Sequence, residues 1–89
     1  MNGIKIIVKG RVQGVGFRVF TKQQATAFEI EGFVKNLYDG DVHIEAFADA
    51  GKLELFTEMI SLGNSYSRVS RIVVSELLIE NNFSGFSIR

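Results

Sequence analysis

The chain contains no cysteine and no proline, has a single histidine among its 89 residues, and shows no excess of either charge, with ten Lys plus Arg against ten Asp plus Glu. Each absence closes off a class of answers. Without cysteine there is no disulfide framework, no thiolate ligand for zinc and no thiol nucleophile, and nothing ties the chain to an oxidising compartment. The lone imidazole, His43, has no second His or Cys near it in sequence with which to bind a metal, and no motif assembles a nucleophile with a base. No stretch approaches the roughly 20 apolar residues of a membrane-spanning helix. The opening run MNGIKIIVKGRVQG carries charges inside its apolar part and no small-residue cleavage site. The expectation is a cytoplasmic chain, in which Asn82-Phe83-Ser84 is only a formal glycosylation sequon. Zero net charge also argues against partners recognised by bulk electrostatics, namely nucleic acid and anionic membrane.

What is present suits one small domain spanning residues 1–89, with no repeat, linker or low-complexity boundary. Hydrophobic residues make up 46% of the chain and include eight Phe, enough for a core. A domain of this size hides roughly 60–65% of its unfolded surface. The charge balance is an average over unlike parts. Met1 to Phe28 holds five cations (Lys5, Lys9, Arg11, Arg18, Lys22) and no acid, whereas 29–58 holds eight acids against Lys35 and Lys52.

Ile4, Ile6 and Val8 alternate with Lys5, Ile7 and Lys9, which predicts a strand to about Val12 with one buried face. Phe17 to Phe28 lacks glycine and predicts a helix with Phe17, Phe20, Ala27 and Phe28 near one side. Phe33 to Leu37 reads as a second strand. Asp39-Gly40 reads as a two-residue hairpin turn into a third, in which Val42, Ile44 and Ala46 alternate with His43, Glu45 and Phe47. Leu53, Phe56 and Ile60 recur at helical spacing within 52–62, and Gly63 is a suitable terminator. Val69 to Leu78 carries the β-branched run Ile72-Val73-Val74, and Phe83, Phe86 and Ile88 fall in a short closing strand. The order β-α-β-β-α-β, with an extra short strand, predicts an α+β fold. It is a ferredoxin-like α/β sandwich, an antiparallel sheet of four to five strands with two helices on one face.

The chemistry-bearing stretch is Gly10-Arg11-Val12-Gln13-Gly14-Val15-Gly16-Phe17-Arg18, between the first strand and the first helix. A glycine-rich turn feeding a helix points successive N–H groups into one concavity, and the helix N-terminus adds about half a positive charge. Such a cradle suits an anion, and Arg18 in the first turn adds a planar fork that fits two phosphate oxygens. Dinucleotide and P-loop fingerprints fit poorly, since Val19 stands where a third glycine would be needed and no GxxxxGK[ST] occurs. The glycines by themselves are also compatible with a plain tight turn, which leaves the clustered cations unexplained.

The run GRVQGVGFR, followed by GFVKNLYDGDVHIEAFA and the closing FSGFSIR, resembles the acylphosphatase family, and the resemblance extends over essentially the whole chain. It implies hydrolysis of the carboxyl–phosphate bond of small acyl phosphates, with no cofactor and no metal. It implies further that Arg18 binds phosphate, that Asn36 orients the attacking water, and that loop amides of Gln13, Gly14, Val15, Gly16, Phe17 and Arg18 hold the phosphoryl oxygens. Taken alone, Asn36 reads as an ordinary strand-end asparagine ahead of Asp39-Gly40. The small acyl phosphate and inorganic phosphate are the implied partners, and a monomer is the default.

Other residues are expected to matter less. His43 is placed on the open face of the sheet, Lys9 and Arg11 are expected to lend the mouth of the site a positive field, and Asp39 and Asp41 read as solvated turn carboxylates. Gly63-Asn64 stands where many relatives have Gly-Pro, in a region read as remote from the motif. The competing function is a non-catalytic domain of the same fold that binds a small anion for regulation. It has no use for a water-positioning amide. An RNA-binding sheet of this topology is disfavoured by the acids of 29–58 and the missing aromatic motif.

Overall fold

The alternation of Ile4, Ile6 and Val8 with their neighbours becomes strand β1, Asn2–Arg11, in the computed structural model, which describes residues 1–89. Ile6 and Val8 are fully buried, and the same face continues through Val34 of β2 (Glu31–Asn36) and through Val42, Ile44 and Ala46 of β3 (Val42–Ala48). Helix α1 (Phe17–Ala27) contributes Phe17 and Ala25 to this core, and α2 (Ala50–Leu62) contributes Leu53, Phe56 and Ile60. Both helices thus cover one face. Burying each of these larger side chains stabilises the fold by about 1.5–3 kcal/mol. No helix is long and apolar enough to cross a membrane.

With β4 (Arg68–Leu77) and β5 (Phe86–Ile88) the sheet has five strands in the order β4-β1-β3-β2-β5. The ferredoxin-like arrangement expected from the element order is present. Four strands pair antiparallel, and β5 adds to β2 in parallel, with Phe33 opposite Ser87, so the complete sheet is mixed.

Local details differ from the sequence pattern for identifiable reasons. The buried stripe of α1 is Phe17, Thr21 and Ala25 at strict four-residue spacing, while Ala27 is exposed and Phe20 and Phe28 only flank the core. Thr21 is tolerated there because its hydroxyl donates to the Phe17 carbonyl at 2.9 Å. The β2–β3 connection runs over five residues, 37–41, with three of them inside the Leu37–Asp41 hydrogen bond, and is not a two-residue turn. Leu37 N–H donates to Asp41 O at 2.9 Å and Gly40 N–H closes the turn on Leu37 O, with Gly40 at φ 97°. Phe83 lies before β5, not within it, and tilts against Phe33 and Phe47 on the sheet face away from the helices. His43 sits on that face as expected, stacked on Phe33 with Nε2 3.1 Å from Glu45 Oε2.

The topology decides where function can reside. β1 and β2 run in the same direction on either side of β3, and β5 runs parallel to β2. Their C-terminal ends therefore open at one end of the sheet, together with the start of antiparallel β4. The loop after β1, Asn36 at the end of β2, the turn before β4 and Arg89 after β5 all converge there.

Candidate phosphoryl-binding site

The cradle begins where β1 leaves its regular register. Pairing with β4 shifts between Lys9 and Gly10, and a Cβ on Gly10, at φ 127°, would lie 2.2 Å from the Arg68 carbonyl oxygen. Only glycine allows this close approach, so the strand bends there and delivers the loop over the sheet end. Gly14 at φ 73° and Gly16 at φ 76° then adopt left-handed conformations, and Gly16 starts α1 with no side-chain cap.

The consequence is a row of unused donors. The N–H groups of Gln13, Gly14, Val15 and Gly16 donate to no acceptor in the protein, and those of Phe17 and Arg18 lie in the first turn, where a helix offers them none. Unsatisfied amides at a helix N-terminus, aided by the helix dipole, favour an anion. Of these residues Gly14, Gly16, Phe17 and Arg18 border a cavity of about 110 Å³, which Val12, Val19 and Asn36 complete. The two side chains singled out from the sequence, Arg18 and Asn36, therefore meet at one small concavity.

Their partners explain their poise. Arg18 Nη1 donates to the Arg89 main-chain oxygen at 3.0 Å. Arg89 is itself fixed, its N–H on Val34 O at 2.8 Å and its guanidinium 4.0 Å from the centre of the Phe33 ring. One edge of the Arg18 fork is thus tethered. Asn36 presents a buried Oδ1 with no hydrogen-bond partner. Burying an amide oxygen unpaired costs about 1–3 kcal/mol.

Several supports lie beyond the reach of sequence spacing. The Gln13 side chain does separate work from its amide, its Nε2 donating to Leu37 O at 2.7 Å and Asp41 O at 2.8 Å, which clamps the loop to the hairpin turn. Asp41 is not a solvated turn carboxylate, since it accepts from Lys9 Nζ at 2.7 Å with only 14% of its side chain exposed. That pairing offsets the Lys9 charge and leaves Arg11, which has no carboxylate partner, as the cation beside the loop. Arg11 lines an open groove with Gly14, Val15 and Tyr66. The Gly63-Asn64 region is not remote either, because Asn64 Nδ2 donates to Val15 O at 2.9 Å. These links span 24 to 71 residues, so no local pattern announces them.

Comparison with known proteins bears on the family and the fold. The family profile described as Acylphosphatase matches residues 4–88. An acylphosphatase of Chlorobaculum tepidum is 40% identical over 85 residues, covering 96% of this chain and 92% of that protein. An acylphosphatase of Clostridium perfringens is 41% identical over 83 residues, covering 93% of each. Among solved structures, the acylphosphatase from Bacillus subtilis superposes with a TM-score of 0.96 at 40% identity, covering 100% of this chain and 99% of that one.

Proposed function

The chain belongs to the acylphosphatase family of hydrolases, and from that premise we propose that Arg18, Asn36 and the loop amides from Gln13 to Arg18 carry out the hydrolysis. The phosphoryl group of a small acyl phosphate enters the cavity with its oxygens on the amides and on the Arg18 fork. Asn36 holds a water in line with the scissile bond through its side-chain amide, whose directed hydrogen bond turns a lone pair of the water oxygen toward phosphorus. The water oxygen–phosphorus bond forms as the phosphorus–acyl oxygen bond breaks. The electron pair leaves with the carboxylate, and the water proton ends on phosphate or solvent.

An acyl phosphate is a mixed anhydride, so its carboxylate departs without a strong general acid, and none is assigned here. What the reaction needs is placement and stabilisation of charge on the equatorial oxygens. The observation that carries the proposal is the shared cavity, which Asn36 lines together with Arg18 and the glycines of the loop. A cradle for anion storage alone gives no reason for an asparagine side chain there. The cysteine-free composition supports the cytoplasm as the place of action, and a monomer suffices because no second copy is needed to complete the site.

The test is phosphate release from benzoyl phosphate by the purified chain. Turnover well above the spontaneous rate, unaffected by exhaustive EDTA treatment, is expected. Phosphate binding by the folded protein without turnover would sink the enzymatic reading in favour of a regulatory anion-binding domain, and loss of activity with EDTA would overturn the metal-free route.

A further inference from the structure

The sequence gives Asn64 no motif, yet its side chain reaches the back of the cradle loop. Its Nδ2 donates to the Val15 carbonyl at 2.9 Å. A trans peptide is planar, with C=O and N–H on opposite sides. Holding the Val15 oxygen toward Asn64 therefore turns the Gly16 N–H of the same peptide unit the other way. Gly16 lines the cavity shared by Arg18 and Asn36.

No other hydrogen bond holds the Val15 oxygen in that orientation. Rotating the Val15–Gly16 peptide by half a turn changes ψ of Val15 and φ of Gly16 by similar amounts; it carries ψ between the two allowed wells of an L-residue, and glycine accepts either sign of φ at little cost. Gly16 itself is loosely surrounded, the nearest atom to a Cβ there being Asn64 Nδ2, at 3.8 Å. Asn64, by contrast, is held firmly. Gly63 N–H donates to Met59 O and Ile60 O at the end of α2. Asn64 N–H donates to Ser67 Oγ at 2.9 Å, and that hydroxyl donates back to Asn64 O at 3.0 Å. The amide is there for its donor: Oδ1 is buried without a partner, and exchanging the two ends would set two oxygens against each other.

We propose that Asn64 is a positioning residue, a latch that fixes the Val15–Gly16 peptide so that the Gly16 N–H faces the bound phosphoryl group. The proposal rests on the phosphoryl-binding reading of the loop. It makes the turn after α2 part of the working site and assigns the absence of proline there a use, because proline has no side-chain donor.

The direct probe is the Gly16 amide resonance of the full chain, titrated with inorganic phosphate. In the wild type it moves downfield on binding. In Asn64→Ala that response is expected to fall by more than half, and kcat/KM for benzoyl phosphate to drop about tenfold, the scale of one hydrogen bond. Asn64→Asp, nearly isosteric, adds a pH signature. Ionised, it repels the Val15 oxygen; protonated, it donates to it. A carboxyl facing a carbonyl oxygen titrates above its usual value of about 4. The ratio of Asn64→Asp to wild-type activity should therefore be lowest at neutral pH and rise as pH falls toward 4. A generally loosened structure would not show this recovery, and the readout stands even if Asn64→Ala fails to fold. A Gly16 response that survives Asn64→Ala, or an Asn64→Asp ratio that is flat with pH, overturns the latch. A wild-type chain whose Gly14–Arg18 amides ignore phosphate overturns instead the binding reading beneath it.

Discussion

Two concavities in this small protein differ in nearly every respect that matters to an anion. One, between β1, β4 and α2, has a volume of about 470 Å³, a floor that includes Gly3, Ile4, Leu53 and Val74, and a rim carrying Glu54, Glu58 and Glu76. The other, at the end of β1, has about 110 Å³, two left-handed glycines, Arg18 and the Asn36 side chain. The larger hollow has room but its three carboxylates repel a phosphoryl group. The smaller one has unsatisfied donors held in place before the ligand arrives. Chemistry in this fold follows prepaid hydrogen-bonding capacity, and volume is a poor guide to it.

Substitutions can break that contrast, and the largest effect belongs to Arg18. Arg18→Lys is expected to lower kcat/KM on benzoyl phosphate by on the order of 10³ or more and to abolish competitive inhibition by phosphate, because an ammonium cannot present two parallel donors. Retained inhibition with the lysine would show that the fork is dispensable. Asn36→Ala should cost on the order of 10² in kcat while phosphate inhibition stays near the wild-type value, since water placement and not anion binding is lost. A matched loss of both would move Asn36 into the binding set.

Gln13→Ala removes the clamp to Leu37 and Asp41 and is expected to lower kcat/KM about tenfold, with little change in thermal midpoint. The same tests applied to the larger hollow should give the opposite pattern. Leu53→Ala is expected to destabilise by about 2–5 kcal/mol in denaturant melts yet leave turnover per folded molecule unchanged. Glu54→Gln combined with Glu76→Gln should alter kcat/KM less than twofold. A larger gain would mean that the acidic rim governs substrate approach through its field.

How legible this site was in the sequence depended on how far apart its parts lie. The loop from Gly10 to Arg18 could be read as an anion cradle because its glycines and its arginine are adjacent in the chain and their physics is local. The α2 stripe of Leu53, Phe56 and Ile60 was legible for the same reason. Asn36 was reachable only through family resemblance, since a strand-end asparagine before a turn carries no signal of what lies across the sheet. The misreadings share one cause. Asp41 looked solvated and Asn64 remote because strand order is not written in hydrophobic alternation. Only the β4-β1-β3-β2 order brings the hairpin turn to Lys9 and the turn after α2 to Val15. The parallel seat of β5, three residues long, was too short to announce its direction.

The place of β1 between β3 and β4 also sets the history of each molecule. Its partners are far along the chain, with Asn2 opposite Ala48 and Gly3 opposite Leu77. Such non-local pairing closes large loops before any reward arrives and belongs to folds that form in milliseconds to seconds, slower than helical bundles. During synthesis the Ile4-Lys5-Ile6-Ile7-Val8 segment emerges before both of its partner strands and waits, unpaired on both edges, until they are made. That interval is when this chain is most open to aggregation and to chaperone capture. Activity is then the last property to appear, because the cradle loop is complete well before the strands that hold it in position exist.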